Sequence, residues 1–254
     1  MDNLKKFDYY MKYSNNYASK KLEDKWEIIE QLFEKNIINS KPSIQKIPSK
    51  IHQIWIGKNI PSQVQELQNT IQQANKNFTY KLWNEDEILS LNFKNKDIFK
   101  QATNPGQKSD IARYAILEEY GGIYVDSDFK GLKSFEDLLY LDFFTGVSYD
   151  KEPTLFNGLI GTTPNNRFIK DLNNIIEIKD SSGMDIITST GPWFMTKSFF
   201  NQIKNAEDLK VAALPVGFFY CYPNFIHDKI FGDNIDKYMF EESICIHLWH
   251  SLWN

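Results

Sequence analysis

The chain has 254 residues, of which 42% are hydrophobic and 15% aromatic, so it can bury a substantial core and is not expected to be disordered. Its formal net charge of -4 comes from 29 basic and 33 acidic residues spread along the chain, which excludes the basic face that duplex nucleic acid requires. The two cysteines, Cys221 and Cys245, lack metal-binding spacing and are expected to be buried free thiols in a reducing compartment.

The N-terminal residues contain no apolar segment of signal-peptide length, and no stretch approaches the roughly 20 apolar residues of a membrane span. The sequence therefore predicts a soluble, cytoplasmic protein, with delivery into another cell and peripheral membrane association left open. Residues 1–47 are charged and Tyr-rich, show helical spacing of apolar residues and end in the linker-like NSKPS. We predict an N-terminal helical extension over 1–47 and a second domain over 48–254.

Strand and helix patterns alternate from residue 48 onward, which predicts a mostly parallel sheet. Asn84 is expected to cap a helix, with Glu87 completing the cap, and a longer helix is expected to begin near Ser109 and end at Gly121. The predicted strands cover 51–56, 78–83, 123–125, 143–147, 155–161 and 244–249, and further helices are predicted at 62–75 and 165–178.

Two acids follow the short apolar strand IYV. Asp126 and Asp128 come at its carboxyl end, the edge at which open α/β sheets bind ligands. Two carboxylates this close repel each other unless a cation lies between them, and Mg²⁺ or Mn²⁺ commonly joins such a pair to substrate phosphates. Upstream, Asp110 and Arg113 share one face of a helix, where arginine offers a fork suited to phosphate or sugar hydroxyls and a plain surface ion pair is the simpler alternative.

The run SDIARYAILEEYGGIYVDSDF at 109–129 closely resembles the sugar-binding, Asp-x-Asp region of glycosyltransferase family 32, and of the related glucosylating clostridial toxins. The family includes yeast-type initiating mannosyltransferases and bacterial capsular-sugar transferases. IPSKIHQIWIGKNIP at 47–61 is similar to its opening strand, and NGLIGTTPNN and TGPWFMT, at 157–166 and 190–196, are similar to its substrate-side segments. The resemblance covers about 48–254 and implies a GT-A type α/β fold, a mixed central sheet with helices on both faces, preceded by the helical extension.

The resemblance also implies roles for individual residues. Asp128 would bind the metal directly, Asp126 would hold the ribose and the water shell of the metal, and Asp110 and Arg113 would grip the donor sugar and its phosphate. Further nucleotide-sugar contacts are expected from Trp55, which would stack on the base, from Tyr124, and from Asn157, Ser251 and Trp253. Trp55 and Tyr124 also suit plain packing, and this alternative stays open.

The C-terminal segment ICIHLWHSLWN contains two histidines, and in the resembling family a C-terminal His or Glu often completes the metal site. His247 is the better match to the family position and His250 is its rival. The expected ligands are therefore Asp126, Asp128 and His247, with Mn²⁺ or Mg²⁺ as the cofactor. Ser251 and Trp253 would contact the diphosphate.

These expectations combine into one functional prediction: a metal-dependent, retaining glycosyltransferase that moves a hexose from a UDP- or GDP-sugar to a glycan, lipid or protein acceptor. The alternative is a catalytically inactive nucleotide-sugar-binding protein of the same fold. A haloacid-dehalogenase phosphatase also has Asp-x-Asp, but it normally carries Thr or Val two residues later, where this chain has Phe129 and Lys130. A glycoside hydrolase would need two carboxylates on either side of a glycosidic bond, about 5 to 10 Å apart.

Overall fold

The computed structural model describes residues 4–12, 24–41, 43–148, 153–177, 186–223 and 235–250. Its first helices are α1 (Phe7–Tyr10) and α2 (Asp24–Phe33), and α2 continues into a π-helical turn, Glu34–Ile38. Tyr10 and Trp26 are fully buried in the same core as the central sheet. The helical character expected of the N-terminal segment is confirmed for these ranges, whereas the domain boundary after residue 47 stays a prediction.

Eight strands are described: β1 (Lys50–Ile54), β2 (Thr79–Trp83), β3 (Gly122–Val125), β4 (Phe129–Gly131), β5 (Phe143–Val147), β6 (Leu155–Thr162), β7 (Val211–Leu214) and β8 (Cys245–His247). The remaining helices are α3 (Ser62–Ala74), α4 (Glu85–Ser90), α5 (Lys96–Gln101), α6 (Pro105–Tyr120), α7 (Arg167–Ile175), α8 (Ile186–Ser189), α9 (Pro192–Ile203) and α10 (Val216–Phe219), with 3₁₀ turns at Glu136–Leu138 and Ile235–Tyr238. No helix in the described ranges is both long enough and apolar enough to cross a membrane.

The central sheet has six strands in the order β2-β1-β3-β6-β5-β7 and is flanked by helices. β1 is parallel to β2 and β3, and β5 is parallel to β7, but β6 runs antiparallel to both β3 and β5. The sheet is therefore mixed, but five of its six strands run in the same direction and β6 alone is reversed, so the prediction of a mostly parallel sheet is confirmed. Residues 148–154 are too short a connection for the crossover of about a dozen residues that parallel neighbours need.

Helix α6 begins one turn earlier than the predicted start near Ser109. The Asn104 side chain accepts hydrogen bonds from the backbone N–H groups of Gly106 and Gln107, at 2.7 and 3.3 Å, and Pro105 occupies the first helical position, where a missing N–H is harmless. The end is as predicted: Gly121 has a φ of 59°. A side chain there would also be blocked, because an added Cβ would lie 2.6 Å from Pro164.

The other predicted elements are confirmed with small differences in their ends. The capping box of Asn84 and Glu87 is present at the start of α4. Asn166 caps α7, so that helix is shorter than the predicted 165–178, and the last strand covers three residues rather than 244–249. Cys221 and Cys245 are buried thiols that are not joined by a disulfide, as expected.

A second, two-stranded sheet brings the C-terminal strand to the acid pair. β4 pairs antiparallel with β8, and Phe129 lies opposite His247 in the register. Since Asp126 and Asp128 lie between the end of β3 and the start of β4, this pairing places His247 next to residues that are far from it in the sequence. The two sheets together determine the geometry of the site.

Candidate active site

A cavity of about 530 Å³ lies next to the C-terminal end of β3. Five of the predicted site residues line it: Asp110, Arg113, Asp126, Asn157 and His247. Other described wall residues come from the strand β6, from the α8–α9 region and from the segment after α10, and they include Phe156, Gly158, Ile187, Pro192 and Tyr220. Chain segments that are distant in the sequence therefore meet in one concave site.

Arg113 is a buried cation that forms ion pairs with both Asp110 and Asp126. Its Nη2 atom lies 3.0 Å from Asp110 Oδ1 and 3.2 Å from Asp126 Oδ1. Nη1 donates to the backbone carbonyl of Asn157 at 2.7 Å, and Nε donates to the carbonyl of Ser109 at 3.3 Å. The alternative of a plain surface ion pair is wrong, because Arg113 is only 2% exposed and Asp110 only 6%. These contacts fix the orientation of the guanidinium group.

Asp126 is fixed through both its backbone and its side chain. Its backbone N–H donates to Gly158 O at 2.7 Å, and its carbonyl accepts from Gln53 Nε2 at 3.1 Å. Its Oδ1 accepts a hydrogen bond from the Tyr124 hydroxyl at 2.7 Å. Tyr124 therefore packs beneath the acid pair, and its contact with a nucleotide stays a prediction. Gly158 leaves room for the carboxylate, since an added Cβ would lie 2.6 Å from Asp126 Oδ2.

Asp110 is surrounded by hydrogen-bond donors. Its Oδ1 accepts from Asn157 Nδ2 at 2.7 Å, and its Oδ2 accepts from Thr190 Oγ1 at 2.9 Å. Burial raises the pKa of Asp110 to about 6, against the opposing effect of Arg113. The carboxylate form, which these donors favour, therefore predominates at neutral pH but gives way in mild acid. Tyr114 completes the network, because its hydroxyl donates to Thr190 O at 2.8 Å and accepts from Asn157.

Asp126, Asp128 and His247 form the one group of metal-ligating side chains found in the described part of the chain, with ligand atoms all within 4.8 Å of one another. His247 Nε2 lies 3.1 Å from Asp128 Oδ1. Burial opposes the ionisation of Asp128, but the neighbouring His247 imidazole outweighs it and holds the Asp128 pKa below its usual range. Burial raises the pKa of Asp126, although Arg113 opposes this effect.

The segment after β8 also binds Asp128 through its backbone. The N–H of Leu248 donates to Asp128 O at 3.1 Å, and the N–H of His250 donates to Asp128 Oδ2 at 3.0 Å. The His247 imidazole packs edge-on against Trp249, with 4.1 Å between ring centroids. Of the two rival histidines, His247 therefore belongs to the side-chain cluster, whereas His250 contacts Asp128 through its main-chain N–H.

The remaining predicted contacts are Trp55, Ser251 and Trp253. Trp55 follows β1, and its indole N–H donates to the carbonyl of Asn59 at 3.0 Å. It is not among the described residues that line the cavity, and stacking on a base stays a prediction. Ser251 and Trp253 lie outside the described residues.

The structure adds three residues that sequence reasoning did not assign. Thr190 lies in the TGPWFMT segment. The resemblance placed this segment on the substrate side of the family's fold but named no hydrogen-bond partner for the threonine. Tyr220 also lines the cavity. It lies in the stretch FFYCYP at 218–223, whose apolar and aromatic composition is typical of buried core. Gly158 directly follows the predicted Asn157, and only the packing shows that its missing side chain makes space for Asp126.

Comparisons with known proteins agree with this geometry. A family model described as "Glycosyltransferase sugar-binding region containing DXD motif" matches residues 61–144. An uncharacterized glycosyltransferase of Acanthamoeba polyphaga mimivirus is 32% identical over 168 residues, which cover 63% of this chain and 67% of the viral protein. Inositol phosphoceramide mannosyltransferase 1 of Schizosaccharomyces pombe is 27% identical over 203 residues. That match covers 75% of this chain and 63% of the yeast protein, so the chain spans less than two thirds of that relative.

A solved structure shares the fold. The PaToxG glycosyltransferase superposes with a TM-score of 0.53 at 19% sequence identity, covering 76% of this chain and 82% of that one. The mixed sheet and the acid pair at the end of β3 thus define a GT-A type glycosyltransferase domain. With the sequence matches, this means that the chain belongs to the family of glycosyltransferases whose sugar-binding region contains the DXD motif. The predicted class of enzyme and the resemblance are confirmed.

Proposed function

We propose that the protein is a metal-dependent, configuration-retaining glycosyltransferase that transfers a hexose from a UDP- or GDP-sugar to an acceptor. One observation carries the proposal: the buried Arg113 lines the same cavity as Asp126 and His247, and Asp128 completes the cluster of possible metal ligands beside His247. A sugar diphosphate is an anion that needs cations around its phosphates and hydrogen-bonding groups around its sugar. The cavity offers both.

The cluster fits a divalent cation. Carboxylate oxygens suit Mg²⁺ and Mn²⁺, and an imidazole nitrogen is a common ligand of transition metals, which favours Mn²⁺. The ligand atoms of Asp126, Asp128 and His247 all lie within 4.8 Å of one another, so these three side chains would hold such an ion. A cation held there would act as a Lewis acid that stabilises negative charge on the leaving diphosphate.

The other residues of the site would bind the parts of the donor. Arg113 would bind the phosphate next to the sugar, because its charge is buried and its orientation is fixed by Ser109 and Asn157. Asp110 and the Asn157 amide would bind sugar hydroxyls, and Thr190 holds Asp110 in place for that contact. Trp55 is proposed to stack on the base, and Ser251 and Trp253 to contact the diphosphate. Retention of anomeric configuration rests on the family resemblance.

Of the three acceptor classes, glycan, lipid and protein, we propose a lipid. The yeast relative is named for mannosyl transfer to inositol phosphoceramide, a lipid that carries sugar-like hydroxyls. The wall of the cavity supports the same choice, because Ile187 lines it and is 46% exposed, and Trp193, one residue after the wall residue Pro192, is 60% exposed. Tryptophan is favoured where an apolar surface meets a membrane interface. Peripheral membrane association follows from this proposal.

The test is Mn²⁺-dependent hydrolysis of UDP-glucose, UDP-galactose, UDP-N-acetylglucosamine and GDP-mannose. Turnover of one donor that chelation removes, and that Asp128→Asn abolishes while the variant stays folded, is the expected result. Asp97→Asn is the matched control, since it removes the same charge from an exposed position in the first turn of α5, where Asp97 pairs with Lys100 at 3.6 Å. Full activity of the Asp128 variant would refute the metal site. Donor binding without turnover would favour the non-catalytic alternative.

A further inference from the structure

We propose that Tyr220 is a substrate-contacting residue, and that its phenol hydroxyl donates a hydrogen bond to an oxygen of the sugar–diphosphate linkage of the bound donor. The inference rests on the proposed function, because it assigns a further contact in the same cavity. Neither the Asp-x-Asp motif nor the segments similar to the family include this tyrosine.

The position of Tyr220 places it between the two halves of the site. Its ring lies 5.0 Å from that of Phe156 and 5.6 Å from that of His247, measured between centroids. Asn157, a predicted sugar contact, lines the same cavity as Tyr220, and so does His247, a predicted metal ligand. Under the proposed function, a side chain on this part of the wall lies near the bond that the reaction breaks.

The ring of Tyr220 is held in place by its surroundings. It has no exposed surface and it lines the cavity. Gly146 on β5 leaves the space that the ring fills, since an added Cβ there would lie 2.7 Å from Tyr220 Cε2. The phenol therefore does not reach solvent by changing rotamer, and any partner of its hydroxyl has to come to it.

The hydroxyl of Tyr220 is buried and has no hydrogen-bond partner among the described residues. The neighbouring buried tyrosines differ: Tyr114 donates to Thr190 O and Tyr124 donates to Asp126. A buried hydroxyl without a partner destabilises a protein, because the group has lost its hydrogen bonds to water and gained none in return. A molecule that binds in the cavity would supply the missing hydrogen bond. A protonated phenol is a good hydrogen-bond donor to a phosphate or glycosidic oxygen.

Tyr220→Phe removes the hydroxyl and keeps the ring. The matched control is Tyr140→Phe, because the buried Tyr140 hydroxyl lies outside the cavity and donates to Asn36 O. Without donor, we expect Tyr220→Phe to have a melting temperature equal to or above that of the wild type, whereas Tyr140→Phe melts at a lower temperature. In hydrolysis of the preferred donor, kcat/KM of Tyr220→Phe should fall about tenfold, and the control should match the wild type.

Titration with Mn²⁺ and the product nucleoside diphosphate locates the contact. Weaker nucleotide binding by Tyr220→Phe places the bond on the diphosphate, and unchanged nucleotide binding with a lower kcat places it at the glycosidic oxygen; both support the inference. It is overturned if kcat/KM and binding are unchanged, or if Tyr220→Phe melts as early as the control, which would reveal a partner for the hydroxyl in the free protein. A wild type that neither binds nor turns over any donor refutes the proposed function and this inference with it.

Discussion

The buried His52 should make the folding stability of this protein depend on pH. His52 lies on β1 and is 3% exposed. Its Nδ1 accepts a hydrogen bond from the Trp83 indole at 3.1 Å, and its Nε2 lies 3.0 Å from Gly121 O. Since a carbonyl only accepts, the proton of the neutral ring is on Nε2. Both nitrogens are used in the uncharged form, and a second proton on Nδ1 would break the bond from Trp83.

The pKa of His52 is lowered from 6.5 to about 4, mainly by burial and further by the nearby Lys50 charge, against the favourable effect of the Gly121 carbonyl. The unfolded chain therefore binds the proton more readily than the folded protein between these two pH values. The stabilising contribution is complete above about pH 6.5, is lost as the pH falls, and changes no further below about pH 4. The full loss is about 3 kcal/mol, of which about 2 kcal/mol falls between pH 7 and pH 5.

The assay is urea unfolding of the metal-free wild type and of His52→Gln at pH 7 and pH 5. Glutamine has a donor for Gly121 and an acceptor for Trp83 but no group that titrates in this range. All other groups are common to the two proteins, so the difference between their pH dependences isolates His52. The wild type should lose about 2 kcal/mol more than the variant over this interval.

Equal losses of stability in the two proteins would refute the reasoning. A direct measurement decides the matter if the variant fails to fold: the ring protons of His52 should titrate by NMR near pH 4 in the native wild type. Titration near pH 6.5 would show that water reaches the ring, and that the hydrogen bonds to Gly121 and Trp83 do not persist.

Three further predictions concern the site. Gly158→Ala should push the Asp126 carboxylate aside and lower Mn²⁺-dependent turnover by about 10- to 100-fold with little change in melting temperature; unchanged turnover would contradict the close packing of Gly158 on Asp126. Thr190→Val removes a donor to ionised Asp110, whose pKa should rise above about 6, so the acidic limb of the kcat/KM profile should move to higher pH; an unmoved limb would show that Asp110 is not the titrating group. Arg113→Met leaves two buried carboxylates without their cation and should lower the free energy of unfolding by about 3–5 kcal/mol at pH 7; a loss under about 1 kcal/mol would mean that water replaces the guanidinium.

Much of the first half of the fold follows from local patterns. Asn84 with Glu87, and Gly121 with its positive φ, mark helix ends through bonds and conformations that involve only a few neighbouring residues. The early start of α6 could also have been predicted, because Asn104 followed by Pro105 is itself a helix-start signal. These features depend on interactions between residues that are close together in the chain, so they can be predicted directly from the sequence.

The family resemblance predicted a mixed sheet, but the sequence did not show that β6 is its antiparallel strand, because strand patterns carry no direction. An apolar run such as that at 155–161 suits parallel and antiparallel neighbours alike, and only the length of the connection before it distinguishes them. The sequence of this segment therefore predicts a strand without predicting its partners.

The sequence by itself determined the class of protein and the central part of the site, because Asp110, Arg113, Asp126 and Asp128 all lie within one helix–turn–strand unit whose geometry is local. The family resemblance predicted that His247 would lie near Asp128, but only the tertiary structure shows the pairing that brings it there. Only the tertiary structure joined Thr190 to Asp110 and left the buried Tyr220 hydroxyl without a hydrogen-bond partner among the described residues. These contacts depend on the pairing of β4 with β8 and on the packing of α8 and of the segment after α10 around the cavity. They arise from the burial of apolar surface between segments far apart in the chain, and no short stretch of sequence encodes such pairs.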